Sequence, residues 1–366
     1  SQSRRGEAEA RFALGILDAL EGLYDKAQSA YEAAAASFRL IGMRHREAHA
    51  ARLLARLHQL QGRYREAQAA FGEALTLYLP LQDRSGEADI RWSLGVLHRY
   101  QGQYQEALKA FEEALALYKT IEDLQGIADV YQDLGILSQL QGQYRQAQET
   151  FEAALDLYRK SSNQSGEAYA RRNLSFIYSL QNNYSQAYSE LEGALKIFQN
   201  LKSRNGEAYT RLELGNLLRL QNRHHDSEAQ YRRALELYKE SGVLYGQAEV
   251  QKDLGILFRL QGRFEDAKST LLASRQLAGQ LQAQEILWQA LYELGRIHEH
   301  EGQSADALLS YQEAVRTLEG LAAQFGAQEG RAQYLQAENR LAAYDALADL
   351  LLKMHEQDSG KGYDRE

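Results

Sequence analysis

The histidines are the first residues in this 366-residue chain whose type could do chemistry, since imidazole serves as a metal ligand and as a proton carrier near neutral pH. His45 and His49 lie one helical turn apart, as a metal pair does. No third ligand is near them in sequence, and an exposed first turn of a helix accounts for both. His224 and His225 are adjacent, so they do not share a helix face. HEHE at 298–301 lacks the spacing of an HExxH zinc helix. SGKG at 359–362 lacks the first glycine of a phosphate loop and has Gly362 where Ser or Thr is required. The chain has no cysteine, which removes thiol nucleophiles, disulfides and Cys-based zinc sites together. The expectation is a non-enzyme with no catalytic residue, cofactor or metal site.

Composition narrows the partners. Net charge is −8 and the pI is near 5.7, so no positive field is available to hold a phosphate backbone or an anionic membrane surface. Nucleic acid and membrane are therefore not expected partners. No apolar run approaches the roughly 18 residues that a membrane span needs. SQSRR is not a signal peptide, so the start reads as a cut inside a longer parent, with a cytoplasmic placement expected. Pro80 is the sole proline, and Ala, Leu, Glu, Gln, Arg and Tyr dominate, which predicts an all-α chain.

Self-similarity organises the helices. Leu14, Leu54, Leu94, Leu134, Leu174, Leu214, Leu254 and Leu294 recur every 40 residues. By chance such a column has a probability on the order of 10⁻⁸. A small residue follows each of them, as at Gly95 and Gly135. Further columns hold alanine (Ala107, Ala114) around a large ring or leucine (Phe111), and a second aromatic (Tyr118) closes the unit. Eight repeats result, at 6–45, 46–85, 86–125, 126–165, 166–205, 206–245, 246–285 and 286–325. The array is expected over 1–325, with a capping or linker helix at 326–357 and a tail at 358–366.

Each repeat divides into two amphipathic helices, A and B, exemplified by 86–101 and 104–118. The joint between them carries Gly22, Gly62, Gly102, Gly142, Asn182, Asn222, Gly262 or Gly302. A helix that ends and reverses within two or three residues needs the left-handed region at its C-cap, which Gly and Asn tolerate best. SGE at 85–87 and 165–167 and NGE at 205–207 read as helix starts, with Ser or Asn as the cap.

The pattern Leu94-Gly95, Gly102, Tyr104, Ala107, Phe111, Ala114 resembles the tetratricopeptide repeat over roughly 90% of the chain. The unit is longer than the usual 34 residues, and the column Phe38, Tyr78, Tyr118, Tyr158, Phe198, Tyr238 reads as an added helical turn packing on the next repeat. Repeats of this length are similar to those of Leu-Gly-Asn repeat scaffolds and of bacterial tetratricopeptide proteins. The segment 331–366 and its closing GKGYD also resemble the linker before a CHAT-type caspase-like protease. The resemblance implies an α-α solenoid forming a right-handed superhelix, its concave face lined by A helices.

Carried onto this sequence, the family's ligand-facing positions are Arg52, Arg56, Trp92, Arg99, Arg172, Asn173, Phe176, Asn216, Arg219, Lys252, Arg259 and Arg296. Such a groove suits an extended protein or peptide segment with acidic side chains: Asn amides for its backbone, Arg forks for its carboxylates, Trp92 and Phe176 for apolar anchors. Replacing Arg219 and Arg259 together is then expected to weaken a partner without loss of helicity. Two other readings stay open, a sensor arm of a larger enzyme such as a CHAT-type protease and a small-molecule sensor, although no pocket-specific residues point to the latter. Phe12, Ile16 and Leu20 in the first helix are expected to have an uncovered side.

Overall fold

A computed structural model describes residues 2–323 and 340–357. The described residues form helices and one short 3-10 turn at Leu79–Leu81, around Pro80. This is the all-α repeat architecture that the sequence predicts. The chain divides into two compact units, 1–181 and 182–366.

The first unit contains α1 (Gln2–Leu20), α2 (Tyr24–Leu40), α3 (Arg44–Leu60), α4 (Tyr64–Tyr78), α5 (Arg84–Tyr100), α6 (Tyr104–Thr120), α7 (Leu124–Leu140), α8 (Tyr144–Lys160) and α9 (Gln164–Leu180). The second contains α10 (Tyr184–Asn200), α11 (Arg204–Leu220), α12 (His224–Glu240), α13 (Leu244–Leu260), α14 (Phe264–Gln280), α15 (Gln284–His300), α16 (Ser304–Ala322) and α17 (Leu341–Gln357). Within each unit every helix packs on the next one in the chain. The expected helix over 326–357 is present from Leu341, while 324–339, the 358–366 tail and the SGKG motif lie outside the described residues.

Two kinds of lock hold the stack, and both seat a ring where a side chain is missing. Inside a hairpin, a Cβ placed on Gly95 would lie 2.5 Å from the Phe111 ring, and one on Gly215 would lie 2.4 Å from Tyr231. Between repeats, Gly126 receives Tyr118 and Gly166 receives Tyr158, again leaving a would-be Cβ 2.4 Å from a ring carbon. These rings are almost wholly buried, so each lock removes a large apolar surface from water. The longer helix B thus does pack on the next repeat.

The second lock corrects the helix starts. The side chains that cap α5, α9 and α11 belong to Asp83, Asn163 and Ser203, which accept from the backbone N–H of Gly86, Gly166 and Gly206. Ser85, Ser165 and Asn205 already lie inside the helices. The glycine of each SGE or NGE is there because the preceding ring needs its space.

The turns carry a second correction. Gly142 ends α7 with φ +74°, while Gln143 N–H donates to Ser138 C=O at 2.8 Å and Gly142 N–H to Gln139 C=O at 3.0 Å, a Schellman closure. Gly42 and Gly242 serve the B-to-A turns in the same way, but other B-to-A turns repeat this geometry without glycine: Glu122 has φ +57°, with Asp123 N–H donating to Tyr118 C=O at 3.0 Å. Gln82, Ser162, Lys202 and Gln282 are left-handed too. The turn therefore recurs at both ends of every hairpin within a unit, and Gly or Asn is favoured without being required. A left-handed non-glycine costs roughly 1 kcal/mol. Glu122→Gly is expected to raise stability by about 0.5–1 kcal/mol, read as a higher urea midpoint; an unchanged or lower midpoint would show that Glu122 makes a compensating contact.

Candidate functional site

On the A helices of the first unit, side chains tie each repeat to the next. Arg52 of α3 pairs with Asp89 of α5 at 2.9 Å, and Tyr118 of α6 donates its hydroxyl to the same carboxylate at 2.6 Å. Asp133 of α7, buried, accepts from Trp92 Nε1 at 2.7 Å and from Arg99 at 3.2 Å, both on α5. Buried carboxylates need such partners, because desolvation costs several kcal/mol per unpaired charge. Asp129, one turn before Asp133, accepts from Tyr158 at 2.7 Å. Burial pushes its carboxyl up to about 6, helped by the nearby charges of Asp133, Asp123 and Asp89 and opposed by the Tyr158 hydrogen bond.

Arg56 differs from these arginines. It is exposed on α3, and among the described residues no carboxylate pairs with it. It stands at an open pocket of about 400 Å3 whose lining includes Gln59, Leu60, Tyr64, Trp92 and Tyr100. Leu60 is 64% exposed and Tyr100 58%. Each is the last residue of its A helix, and Leu140 and Leu180 extend the same exposed column, with Leu220 and Leu260 repeating it in the second unit. This apolar column is not among the residues expected from the sequence, although it too recurs every 40 residues. On α9, Phe176 is exposed, Asn173 is half-buried and the Arg172 guanidinium lies 5.6 Å from the Tyr169 ring centre.

In the second unit the expected ligand-facing residues are engaged with one another. Tyr231 donates to Asn216 at 2.6 Å, and Arg219 donates to the Tyr231 hydroxyl at 3.3 Å and to Asn216 at 3.5 Å. Lys252 pairs with Asp253 at 3.2 Å. Arg259 of α13 is bound to Glu293 of α15, whose other oxygen lies 3.5 Å from the more exposed Arg296. Replacing Arg219 and Arg259 would therefore remove these internal contacts together with any contact to a partner.

Several histidines are engaged with their neighbours. His45 lies 3.4 Å from Asp83. His49 packs on the Phe12 ring, and burial, with Arg52 and Arg46 close by, lowers its pKa to about 4. Phe12 is itself buried, so of the first-helix residues expected to be uncovered it is Ile16 that is exposed, while the Leu20 side chain lies outside the described residues. His300 stacks on Phe264 and His298 faces Ser310. Among the described residues no group of three His, Asp or Glu side chains could hold a metal, and no helix is long and apolar enough to cross a membrane.

Stacked helical hairpins with ion-paired A helices define an α-helical repeat scaffold. Residues 86–160 and 166–240 match a tetratricopeptide repeat family model, and 212–280 match a second model of the same description. The chain is a tetratricopeptide repeat protein. Residues 13–85 also match a model described as anaphase-promoting complex subunit 5. No curated protein sequence matches the chain.

Among solved structures, the apo form of RapI is similar with 15% identity and a TM-score of 0.61, over 75% of this chain and 99% of that one. A Rap protein complexed with competence and sporulation factor has 13% identity and a TM-score of 0.60, over 94% of this chain and 99% of that one. A signal transduction ATPase with numerous domains from Pyrococcus horikoshii, which has a tetratricopeptide repeat sensor, has 13% identity and a TM-score of 0.60, over 92% of this chain and 55% of that one. At such identities the likeness is one of fold alone; the match to the tetratricopeptide repeat family supports a protein-interaction or regulatory repeat scaffold.

Proposed function

We propose that the chain binds a segment of a partner protein along the A helices of its first unit and catalyses nothing itself. The observation that carries this reading is Arg56: its guanidinium has no carboxylate partner among the described residues, whereas Arg52 and Arg99 are paired. Beside it, Leu60, Trp92 and Tyr100 offer apolar and aromatic surface. An acidic side chain on Arg56 and an apolar neighbour against Trp92 would use both features, giving charge-assisted hydrogen bonds and a desolvated anchor. The Rap protein complexed with competence and sporulation factor provides a precedent for a loaded array of similar fold. The other candidates, Arg172, Asn173, Phe176 and the second-unit set, are not part of this pocket.

A peptide array that varies acidic and apolar positions independently supplies the probe. The best peptide is expected to lose at least about ten-fold in affinity when Arg56 is changed to Glu, equivalent to ~1.4 kcal/mol, and to bind more weakly at high salt. Arg145→Glu, at an exposed position of α8, is the control expected to change little. Equal binding by the Arg56 variant would reject this site. A second reading, the sensor arm of a larger enzyme, CHAT-type among others, is favoured by the repeat sensor of the Pyrococcus neighbour; its test is whether coding sequence continuous with these 366 residues specifies a catalytic domain.

A further inference from the structure

Two neighbouring repeats of the first unit place the same carboxylate against the same tyrosine hydroxyl, yet only one of them adds a cation. On α5, Asp89 accepts from the Tyr118 hydroxyl on Oδ1 at 2.6 Å and meets Arg52 on Oδ2 at 2.9 Å. Asp129 of α7, 40 residues further on, accepts from the Tyr158 hydroxyl on Oδ1 at 2.7 Å. The residue 40 positions after Arg52 is Trp92, which carries no charge. It donates its indole N–H to Asp133, one helical turn beyond Asp129. Among the described residues no Lys, Arg or His pairs with Asp129, so its Oδ2 lacks the guanidinium that its counterpart has.

The surroundings oppose this charge instead of balancing it. Asp89 of α5, Asp123 at the start of α7 and Asp133 of α7 all act on the half-buried carboxyl, while Arg52 and Arg99 pair with Asp89 and Asp133. A carboxylate held in this way costs the fold stability, so packing gives no reason for it. An arriving cation does. Trp92, which lines the open pocket together with Arg56 and Asp133, offers an aromatic face for such a group.

We propose that Asp129 receives an arginine or lysine side chain of the bound partner segment, set on its second oxygen as Arg52 is set on Asp89. This rests on the reading that a partner segment lies along the A helices of the first unit, and it deepens that reading by giving the segment charges of both signs. An acidic side chain meets Arg56, an apolar one meets Trp92, and a basic one meets Asp129. A segment that is acidic throughout would be repelled at Asp129, which makes the position a source of specificity as well as of affinity.

The probe is a panel of fluorescein-labelled short peptides, each with one Glu, one Leu and one Arg in varied order and spacing, matched by peptides in which neutral citrulline replaces the Arg. Binding to the whole chain is read by fluorescence anisotropy at pH 8. The best arginine peptide is expected to bind at least ten-fold more tightly than its citrulline match. Asp129→Asn is expected to erase that difference without lowering the urea midpoint at pH 8. A bound cation favours the ionised carboxyl, whose pKa without it is about 6, so the advantage of arginine should grow from pH 5 to pH 8 in the parent chain and stay flat in Asp129→Asn. If Arg56→Glu weakens binding but neither citrulline nor Asp129→Asn does, this assignment falls and the Arg56 pocket stands. If Asp129→Asn abolishes the advantage of arginine and Arg56→Glu changes nothing, the assignment holds and the Arg56 pocket falls. Absence of saturable binding by every peptide would overturn both. Saturable calcium binding that Asp129→Asn removes would give the carboxylate to a metal ion and overturn the assignment alone.

Discussion

Arg259→Ala is expected to destabilise the second unit by about 3 kcal/mol, the cost of leaving a buried carboxylate without its counter-charge. Glu293, whose side chain is 9% exposed, would keep only the weaker contact with Arg296 at 3.5 Å. The loss should be local, because repeats couple to their neighbours: amides of α13 and α15 should exchange faster while those of α3 to α7 do not. Replacing both partners, Arg259→Met with Glu293→Leu, should recover most of the stability, since well-packed apolar residues substitute for buried pairs. If the single variant loses less than about 1 kcal/mol while a partner's affinity collapses, Arg259 is a ligand-binding residue after all. Hydrogen exchange and urea denaturation together separate those outcomes.

Asp129→Asn is expected to stabilise the chain at pH 8 and to remove part of its pH dependence. The folded pKa of Asp129, about 6, lies above the ~3.9 of an unfolded Asp. Between those values the folded state holds the proton that the unfolded state has lost. Stability therefore falls as pH rises from about 4 to about 6, and the penalty persists at higher pH. A carboxyl raised that far lowers stability at pH 8 by roughly 2–3 kcal/mol. The charged groups that face this carboxyl are Asp89, Asp123 and Asp133, while Arg52 and Arg99 pair with Asp89 and Asp133. An asparagine can still accept from Tyr158 and carries no charge. Urea midpoints of the two proteins at pH 5 and pH 8 measure the difference; parallel pH curves would remove Asp129 as the cause.

The hairpins are legible in the sequence because their rule is local. Leu94, Gly95, Phe111 and Ala114 repeat at a fixed distance, and a helix pair with a two- or three-residue turn has few ways to place them. Tyr118 is legible as a contact with the next repeat, but its receiving glycine reads as part of a helix start, because a glycine near a cap and a glycine under a ring look alike in one sequence. The pairing of the A-helix arginines is not legible in the same way. Arg99 and Arg259 occupy the expected column, yet Asp133 and Glu293 arrive from the next A helix, 34 residues on. Periodicity sets which residues share a face; it does not set how closely neighbouring A helices approach, and that distance decides whether an arginine meets a ligand or a carboxylate.

Left-handed turns at a fixed spacing give the first unit a modularity that its charges do not share. Excising residues 86–125 would splice onto α7 a B-to-A joint that, like its own, turns through a left-handed residue, and seat Tyr78 on Gly126 in place of Tyr118. The same deletion would carry Asp129 into the place of Asp89, opposite Arg52, and so supply the counter-ion it lacks. Loss of a repeat by unequal crossing-over would thus be neutral for the backbone while rewiring the electrostatics of the unit.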